Sequence, residues 1–166
     1  MRGFALGVFG CILALASLSA VARAVPPSAR DGVVTHVSDG DTAYIDPLRY
    51  GTTAASWDGR KARFIGVDTP EVYGGTECYG KKASRFTTRK LEGERVEVTY
   101  GPDPIDPYDR ALVYVWLDGR LFNATLIRRG FATVEMYSPN DRYEARFRRL
   151  EAKARRADRG LWGACR

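Results

Sequence analysis

Acids and arginines at short, regular spacings are the residues of this sequence best suited to chemistry. The segment RFIGVDTPE, residues 63–71, begins with Arg63 and ends with Asp68 and Glu71, two acids three residues apart around Pro70. Its apolar positions fit a largely buried strand, and a buried strand has no need of acids at its end. The acids therefore indicate a site.

A further acid, Asp41, lies upstream in DGDT, at the predicted start of one strand, while Asp68 lies at the end of the predicted strand 61–67. Neighbouring antiparallel strands bring such positions together, so we expect two carboxylates to converge. With backbone carbonyls and waters they suit a hard cation such as calcium. Taken alone, DGDT is better explained as a hairpin turn with a capped acid.

Two arginines accompany these acids. Arg63 lies five residues before Asp68, and Arg110 follows the loop PIDPYDR at the start of another strand. A planar guanidinium group binds phosphate through two hydrogen bonds and neutralises charge that develops on phosphorus. Each arginine taken singly is ordinary solvated charge in a basic protein.

The elements that must position these residues are short strands and amphipathic helices. Alternation and turn residues predict a hairpin over 32–46, a loop over 46–60, strands over 61–67 and 95–100, a proline-rich loop over 102–107, and two strand halves around Asp118-Gly119. Helical spacing predicts a helix over 79–92 that stops at Gly93, one with Asn123 as N-cap and Gly130 as stop, and one over 139–157. Five short strands with a helix after the third favour a mainly β fold with α-helices, a closed Greek-key barrel of the OB type with about three helices.

Length and composition allow one domain behind an export signal. The 166 residues are 45% hydrophobic and 28% charged, within the range of globular proteins. Arg2, the apolar run 4–18 and the small residues Ala22 and Ala24 predict a signal peptide over 1–24, followed by a domain over 25–166. An uncleaved membrane anchor is the alternative.

The exported chain stays basic and keeps two cysteines. Cleavage would remove Arg2 and Arg23 and no acid, so the formal net charge falls from +6 to +4. Positive charge favours polyanionic partners such as nucleic acid or anionic membrane, although it also serves solubility. Cys78 and Cys165 would meet an oxidising compartment, where such a pair usually forms a disulfide; two unpaired thiols are the alternative. The single histidine, His36, lies in a strand-like run and gives no zinc pattern.

Several motifs taken together resemble the staphylococcal nuclease-like (thermonuclease) family in order and spacing. They are DGDT, RFIGVDTPE, ECYG, the DR before ALVYVWLDGR, and GLWG, and they extend over about residues 33–162. The resemblance implies an OB-fold barrel with three helices and calcium-dependent hydrolysis of phosphodiesters in DNA and RNA. We further expect a secreted or periplasmic monomer without stable membrane association after signal cleavage.

The resemblance also implies roles for individual residues. Asp41 and Asp68 would be carboxylate ligands of Ca²⁺ and Thr69 a main-chain carbonyl ligand, while Glu71 would be the general base that activates water. Arg63 and Arg110 would bind the phosphate and stabilise the transition state. Tyr108 and Tyr137 would stack on bases, with core or rim packing as the alternative. Cys78 and Cys165 match cysteine positions in exported relatives.

Three departures from the family pattern bear on activity. Asp109 replaces a glycine immediately before Arg110, and its carboxylate could pair with that arginine. Glu135 replaces an aromatic residue two positions before Tyr137. Both changes add negative charge near the expected phosphate site, and the loop 46–60 is longer than in the best-known member.

Two other functions remain possible at this stage. A non-catalytic nucleic-acid-binding module on the same barrel is one, but the presence of both aspartates, both arginines and the glutamate favours an enzyme. The other is a domain that binds anionic surface polymers through its basic C-terminal helix. That helix alternates acids and bases, so an amphipathic packing helix explains it more simply.

Overall fold

A computed structural model describes residues 25–52 and 58–165 of the chain. The predicted signal peptide, 1–24, lies outside the described residues, as do residues 53–57 of the predicted loop 46–60 and the last residue of the predicted domain. Within the two described ranges, no helix is long and apolar enough to cross a membrane.

Five strands close into a barrel, as the sequence predicts. They are β1 (Arg30–Val37), β2 (Thr42–Asp46), β3 (Arg60–Phe64), β4 (Arg95–Ile105) and β5 (Ala111–Leu117), and a sixth strand of two residues, β6 (Arg120–Leu121), pairs with β5. They are ordered β3-β2-β1-β4-β5-β6, and β3 also pairs with β5 in parallel, which closes the sheet. The other pairings are antiparallel. This is the OB-fold architecture.

The helices pack around this barrel. They are α1 (Gly80–Leu91), α2 (Phe122–Arg129), α3 (Glu144–Arg156) and the single-turn α4 (Leu161–Ala164). The three longer ones were predicted, α1 after the third strand included. The αL conformation of Gly130, at φ 72°, ends α2 as expected from its sequence.

The core fills the barrel and the space beneath the helices. Strand β5 lies at its centre: it pairs with β3, β4 and β6, and most of its side chains are buried. Apolar faces of the helices cover the barrel through residues such as Leu91, Leu126 and Phe147. The ends of β3 and β5 are therefore fixed relative to each other, and both carry residues of the expected site.

Three local predictions were wrong. Strand β4 continues through most of the predicted loop 102–107, because its pairing with β5 resumes at Ile105 after an irregularity. Strand β3 ends at Phe64 rather than at residue 67. Asn123 is not the N-cap of α2, which is Leu121; instead its buried amide accepts a hydrogen bond from the Val115 backbone N–H (2.9 Å) and donates to the Ile65 carbonyl (2.9 Å).

Candidate active site

The DGDT segment forms the turn between β1 and β2 and directs Asp41 inward. The Oδ1 atom of Asp39 accepts a hydrogen bond from the Asp41 backbone N–H at 3.2 Å. A Cβ at Gly40 would come within 2.5 Å of the Thr69 side chain, so this turn requires glycine to approach the DTPE segment closely. DGDT is therefore a hairpin turn, as expected, and the same turn brings Asp41 beside the DTPE segment.

Asp41 ties this turn to the DTPE segment. Its side chain is buried, and its Oδ2 atom accepts hydrogen bonds from the Thr69 backbone N–H (2.7 Å) and hydroxyl (3.0 Å). Asp68 is held in turn by the segment after α2, because its backbone N–H donates to the Thr133 carbonyl (3.1 Å) and its carbonyl accepts from the Thr133 N–H (2.8 Å). Both aspartates are thus fixed by the backbone around them.

Arg63 lies between these acids. Its Nη1 atom forms an ion pair with Asp41, and its Nη2 atom contacts Asp68 Oδ1 (3.1 Å) and Glu135 Oε2 (3.4 Å). The Arg63 and Asp41 side chains are only 15% and 7% exposed, so their ion pair is shielded from water, whereas Asp68 and Glu135 are about half exposed. The structure therefore brings together three of the predicted site residues and Glu135, one of the departures from the family pattern.

Burial and crowding of like charges govern the ionisation of this cluster. Burial raises the pKa of Asp68, and the charge of Glu135 raises it further, while Arg63 opposes the rise. Burial, followed by the charge of Asp41, raises the pKa of Asp39 to about 6. Burial works against the charged form of Arg63, but its acidic neighbours, Asp41 foremost, raise its pKa.

The composition of the cluster fits a divalent cation. Three carboxylates, from Asp41, Asp68 and Glu135, contact one guanidinium group, and a fourth, Asp39, lies next to Asp41, so negative charge is in excess. No three side-chain ligands within residues 25–52 and 58–165 are arranged to hold a metal. A metal here would have to use two carboxylates and complete its shell with carbonyl oxygens and water, a donor set that suits a hard ion.

Arg110 lies just before β5 and is anchored by Asp106. Its Nε atom donates to Asp106 Oδ2 at 2.6 Å, while Asp106 Oδ1 accepts from the backbone N–H groups of Tyr108 and Arg110, both at 2.9 Å. The acid that pairs with Arg110 is therefore Asp106 and not Asp109, which occupies the turn with a positive φ of 60°. Because only Nε is engaged by this carboxylate, the two terminal nitrogens remain available to a ligand.

A groove of about 460 Å³ opens beside this cluster. Its lining includes Arg63, Asp106, Tyr108, Arg110, Glu135 and Tyr137. Tyr108 and Tyr137 are 79% and 69% exposed, so neither packs in the core. The Arg110 guanidinium lies over the Tyr108 ring, 5.3 Å from its centroid, and the Tyr137 hydroxyl donates to Glu135 Oε1 at 2.8 Å. The groove thus combines two arginines with an aromatic rim.

Glu71 is exposed and lies on the loop between β3 and α1. Its backbone N–H donates to Glu77 Oε2 (3.0 Å), and its carbonyl accepts from the Glu77 N–H (2.9 Å). A Cβ at Gly80 would come within 2.5 Å of the Glu71 carbonyl oxygen, so the start of α1 also fixes this loop. No ion pair or hydrogen bond joins the Glu71 carboxylate to another described residue.

A disulfide between Cys78 and Cys165 joins the loop before α1 to the residue after α4. The Cα atoms are 5.8 Å apart, and 87 positions separate the two cysteines in sequence. The cross-link therefore holds the C-terminal segment against the region that carries Glu71.

Asp106, Asp39 and Glu77 were not singled out from the sequence. They lie within the segments PIDPYDR, DGDT and ECYG, respectively. The side chain of each accepts at least one hydrogen bond from a backbone N–H group. The signal for Asp106 was the order Asp-Pro-Tyr, because an aspartate before a turn commonly accepts from the N–H two residues later.

The closed barrel makes this an OB-fold protein, and its groove combines arginines and aromatic rings suited to a nucleic-acid strand. Residues 61–164 match the family described as Staphylococcal nuclease homologue. The chain therefore belongs to the staphylococcal nuclease family, and it is a nuclease hydrolase.

Individual relatives agree with this assignment. The chain is 37% identical over 135 residues to the thermonuclease of Staphylococcus intermedius, covering 78% of this chain and 74% of that protein. It is 36% identical over 134 residues to the thermonuclease of Staphylococcus hyicus, with 78% and 73% covered. It is also 32% identical over 152 residues to endonuclease YhcR of Bacillus subtilis, where the match covers 82% of this chain but only 12% of the relative.

Proposed function

We propose that this protein is an exported, monomeric, calcium-dependent nuclease that hydrolyses phosphodiester bonds in both DNA and RNA. The observation that carries the proposal is Arg63, paired with Asp41 and Asp68 at the edge of the groove that Arg110 and Tyr108 line. The arginines that would bind phosphate therefore lie beside the aspartates that would bind a cation.

The metal preference follows from the donor set. Asp41, Asp68 and the Thr69 carbonyl would hold Ca²⁺, which when bound neutralises the acid cluster and stabilises charge on the phosphate. The support is the excess of carboxylates around a single guanidinium group. Calcium suits such a site better than magnesium because it accepts irregular oxygen coordination.

Phosphate binding is assigned to the two arginines. Arg63 presents its guanidinium from β3, and Arg110 presents its two terminal nitrogens while Asp106 fixes Nε. Arg110, held in this way, needs little reorganisation when negative charge develops on the phosphoryl oxygens. Arg63 must exchange part of its present contact with the acids for phosphate.

Glu71 is assigned the role of general base, accepting a proton from the attacking water directly or orienting that water. Its support is an anchored backbone combined with an exposed carboxylate that is engaged by no other described residue. A base must reach water and must not be neutralised by a permanent partner.

Tyr108 and Tyr137 are proposed to stack on the bases next to the scissile phosphate. Both rings are exposed at the rim of the groove. Stacking on aromatic rings tolerates any base and favours unstacked strands, which suits an enzyme with little sequence preference.

Export is supported by the apolar segment 4–18 and by the disulfide, which is typical of oxidising compartments. We propose that the mature protein starts near residue 25 and has no stable association with membranes.

The substrate range is tested with purified residues 25–166 in calcium. Single-stranded DNA, double-stranded DNA and RNA should all be cut, with unpaired strands preferred because their bases can reach the tyrosines. Binding of all three without cleavage would instead support a non-catalytic binding module. A Glu71→Gln sample prepared in parallel excludes a contaminating nuclease as the source of cleavage.

A further inference from the structure

A second concavity lies at the end of β5 opposite to Arg110. It has a volume of about 340 Å³ and is walled by the rings of Phe86 and Phe122. Four basic side chains, which we call the basic pocket, line it: Lys90, Arg120, Arg128 and Arg129. Asp118 is the one acid in this lining.

Positive charge is in excess in the basic pocket, because four cations share its lining with one acid. None of its four cations forms an ion pair with a carboxylate of residues 25–52 or 58–165, in contrast to Arg63, Arg110 and Arg148. Like charges gathered around a concave surface repel one another and concentrate positive potential. Such a cluster attracts an anion with several charges.

Helix stability explains these cations only in part. Lys90 is in the last turn of α1, and Arg128 and Arg129 are in the last turn of α2, where positive charge is favourable. Arg120 belongs to the two-residue strand β6 and has no such role. The Arg129 guanidinium lies 5.3 Å from the centroid of the Phe86 ring, which holds it against the wall of the pocket.

We infer that the basic pocket binds backbone phosphates of the same nucleic-acid strand that is cut at the active site. This inference rests on the proposed nuclease function, because the active site supplies the strand. Strand β5 joins the two sites: Arg110 precedes its first residue, Ala111, and its last residue, Leu117, lines the pocket. Seven strand residues span about 20 Å.

The separation sets a minimum substrate length. At roughly 3.4 Å per nucleotide along one strand, about six nucleotides are needed to cover that distance, and more along a curved surface. A strand of two or three nucleotides can occupy the active-site groove but cannot reach the basic pocket. The pocket should therefore increase affinity for long strands and leave short ones unaffected.

The test uses two triple variants with the same change in charge. Lys90→Gln, Arg120→Gln and Arg128→Gln together neutralise the pocket and leave the Arg129–Phe86 contact intact. Arg146→Gln, Arg149→Gln and Arg156→Gln together neutralise three exposed arginines of α3. Fluorescence anisotropy with excess chelator measures binding of single-stranded oligonucleotides of about 20 and about 3 nucleotides, and circular dichroism confirms that each variant is folded.

We expect the pocket variant to bind the long oligonucleotide at least about tenfold more weakly than the wild type. The negative slope of log K against log salt concentration should become less steep by about two. The α3 variant should lose no more than about twofold, and neither variant should change binding of the short oligonucleotide. Equal losses in both triple variants, or an equal loss with the short oligonucleotide, would overturn the inference.

Cleavage assays with calcium separate this inference from the proposed function. If the wild type binds the long oligonucleotide through the pocket but does not cut it, the nuclease proposal is wrong and the inference of phosphate binding by the pocket is supported. If the wild type cuts both lengths and the pocket variant has an unchanged KM for the long oligonucleotide, the inference about the pocket is wrong and the nuclease proposal is supported.

Discussion

Glu135 Oε2 lies 3.4 Å from Arg63 Nη2, so an arginine that we propose to bind phosphate already contacts an acid in the lining of the groove. The other carboxylate oxygen of Glu135 accepts a hydrogen bond from Tyr137 at 2.8 Å. A phosphate that approaches Arg63 meets this negative charge. Under the proposed function, Glu135 would therefore oppose substrate binding while it orders Tyr137.

The first prediction is that Glu135→Gln lowers KM for an oligonucleotide by about two- to fivefold, the range expected for a partly exposed charge pair. Glutamine keeps the size and an acceptor for Tyr137 but removes the repulsive charge. Steady-state kinetics at low and high salt measure the effect, which should shrink as salt rises. Glu144→Gln, at an exposed acid of α3 paired with Arg148, is the control. A KM that stays constant or rises would argue against Glu135 as the opposing charge.

The same substitution should change the ionisation of Tyr137. The hydrogen bond to Glu135 and then the charge of Glu135 raise the pKa of Tyr137, because an ionised phenol beside a carboxylate is unfavourable. Glutamine carries no charge, so the pKa should fall towards its ordinary value. Ultraviolet titration of tyrosinate, with Tyr137→Phe used to assign the signal, measures the shift. An unchanged titration curve would place Tyr137 away from Glu135 in solution.

The third prediction concerns Glu71. Glu71→Gln should lower kcat by at least about a hundredfold, the scale for loss of a general base, while calcium affinity is retained. Kinetic measurements and calcium titration of wild type and variant test both parts, and Glu94→Gln serves as an exposed-acid control. Near wild-type turnover would remove Glu71 from this role, and loss of calcium binding would make it a ligand instead.

The fourth prediction is that Arg63→Lys and Arg110→Lys both remain folded but are strongly impaired, because lysine keeps the charge and loses the planar fork. Removing one such transition-state contact typically lowers kcat by about 10²- to 10³-fold. Arg148→Lys, at an arginine of α3, is the control. If Arg110→Lys is as active as the wild type, its pairing with Asp106 is the main role of that arginine.

The fifth prediction is that replacing Cys78 and Cys165 by serine destabilises the protein without altering its chemistry. A cross-link across 87 positions corresponds to about 4 to 5 kcal/mol in the chain-entropy model, which is an upper guide. Urea unfolding gives the change in free energy, and kcat of the folded variant should stay near that of the wild type. Two alkylated thiols in unreduced protein from an oxidising compartment would show that the bond is absent.

Local patterns predicted much of the fold because they depend on neighbouring residues. The hairpin around DGDT, the extent of α1 and the stop at Gly130 follow from alternation, helical spacing and αL geometry. Asn123 was misjudged because its hydrogen-bond partners come from β5 and from the chain after β3. A sequence pattern does not contain such distant partners.

The candidate site also combines features that local patterns predict with contacts between residues distant in sequence. Spacing within DGDT and RFIGVDTPE indicated that Asp41, Asp68 and Arg63 would converge, since hairpin register brings β2 beside β3. The contact of Glu135 with Arg63 depends on the backbone pairing of Asp68 with Thr133, which no local pattern encodes.

Calcium dependence tests the central claim most directly. Purified residues 25–166 are incubated with labelled single-stranded DNA in calcium, in magnesium, in excess chelator, and in chelator followed by excess calcium. We predict rapid cleavage in calcium, poor cleavage in magnesium, none in chelator and recovery on adding calcium back, because the proposed site of two carboxylates and a carbonyl would be a flexible oxygen site. Undiminished cleavage in excess chelator would contradict the account.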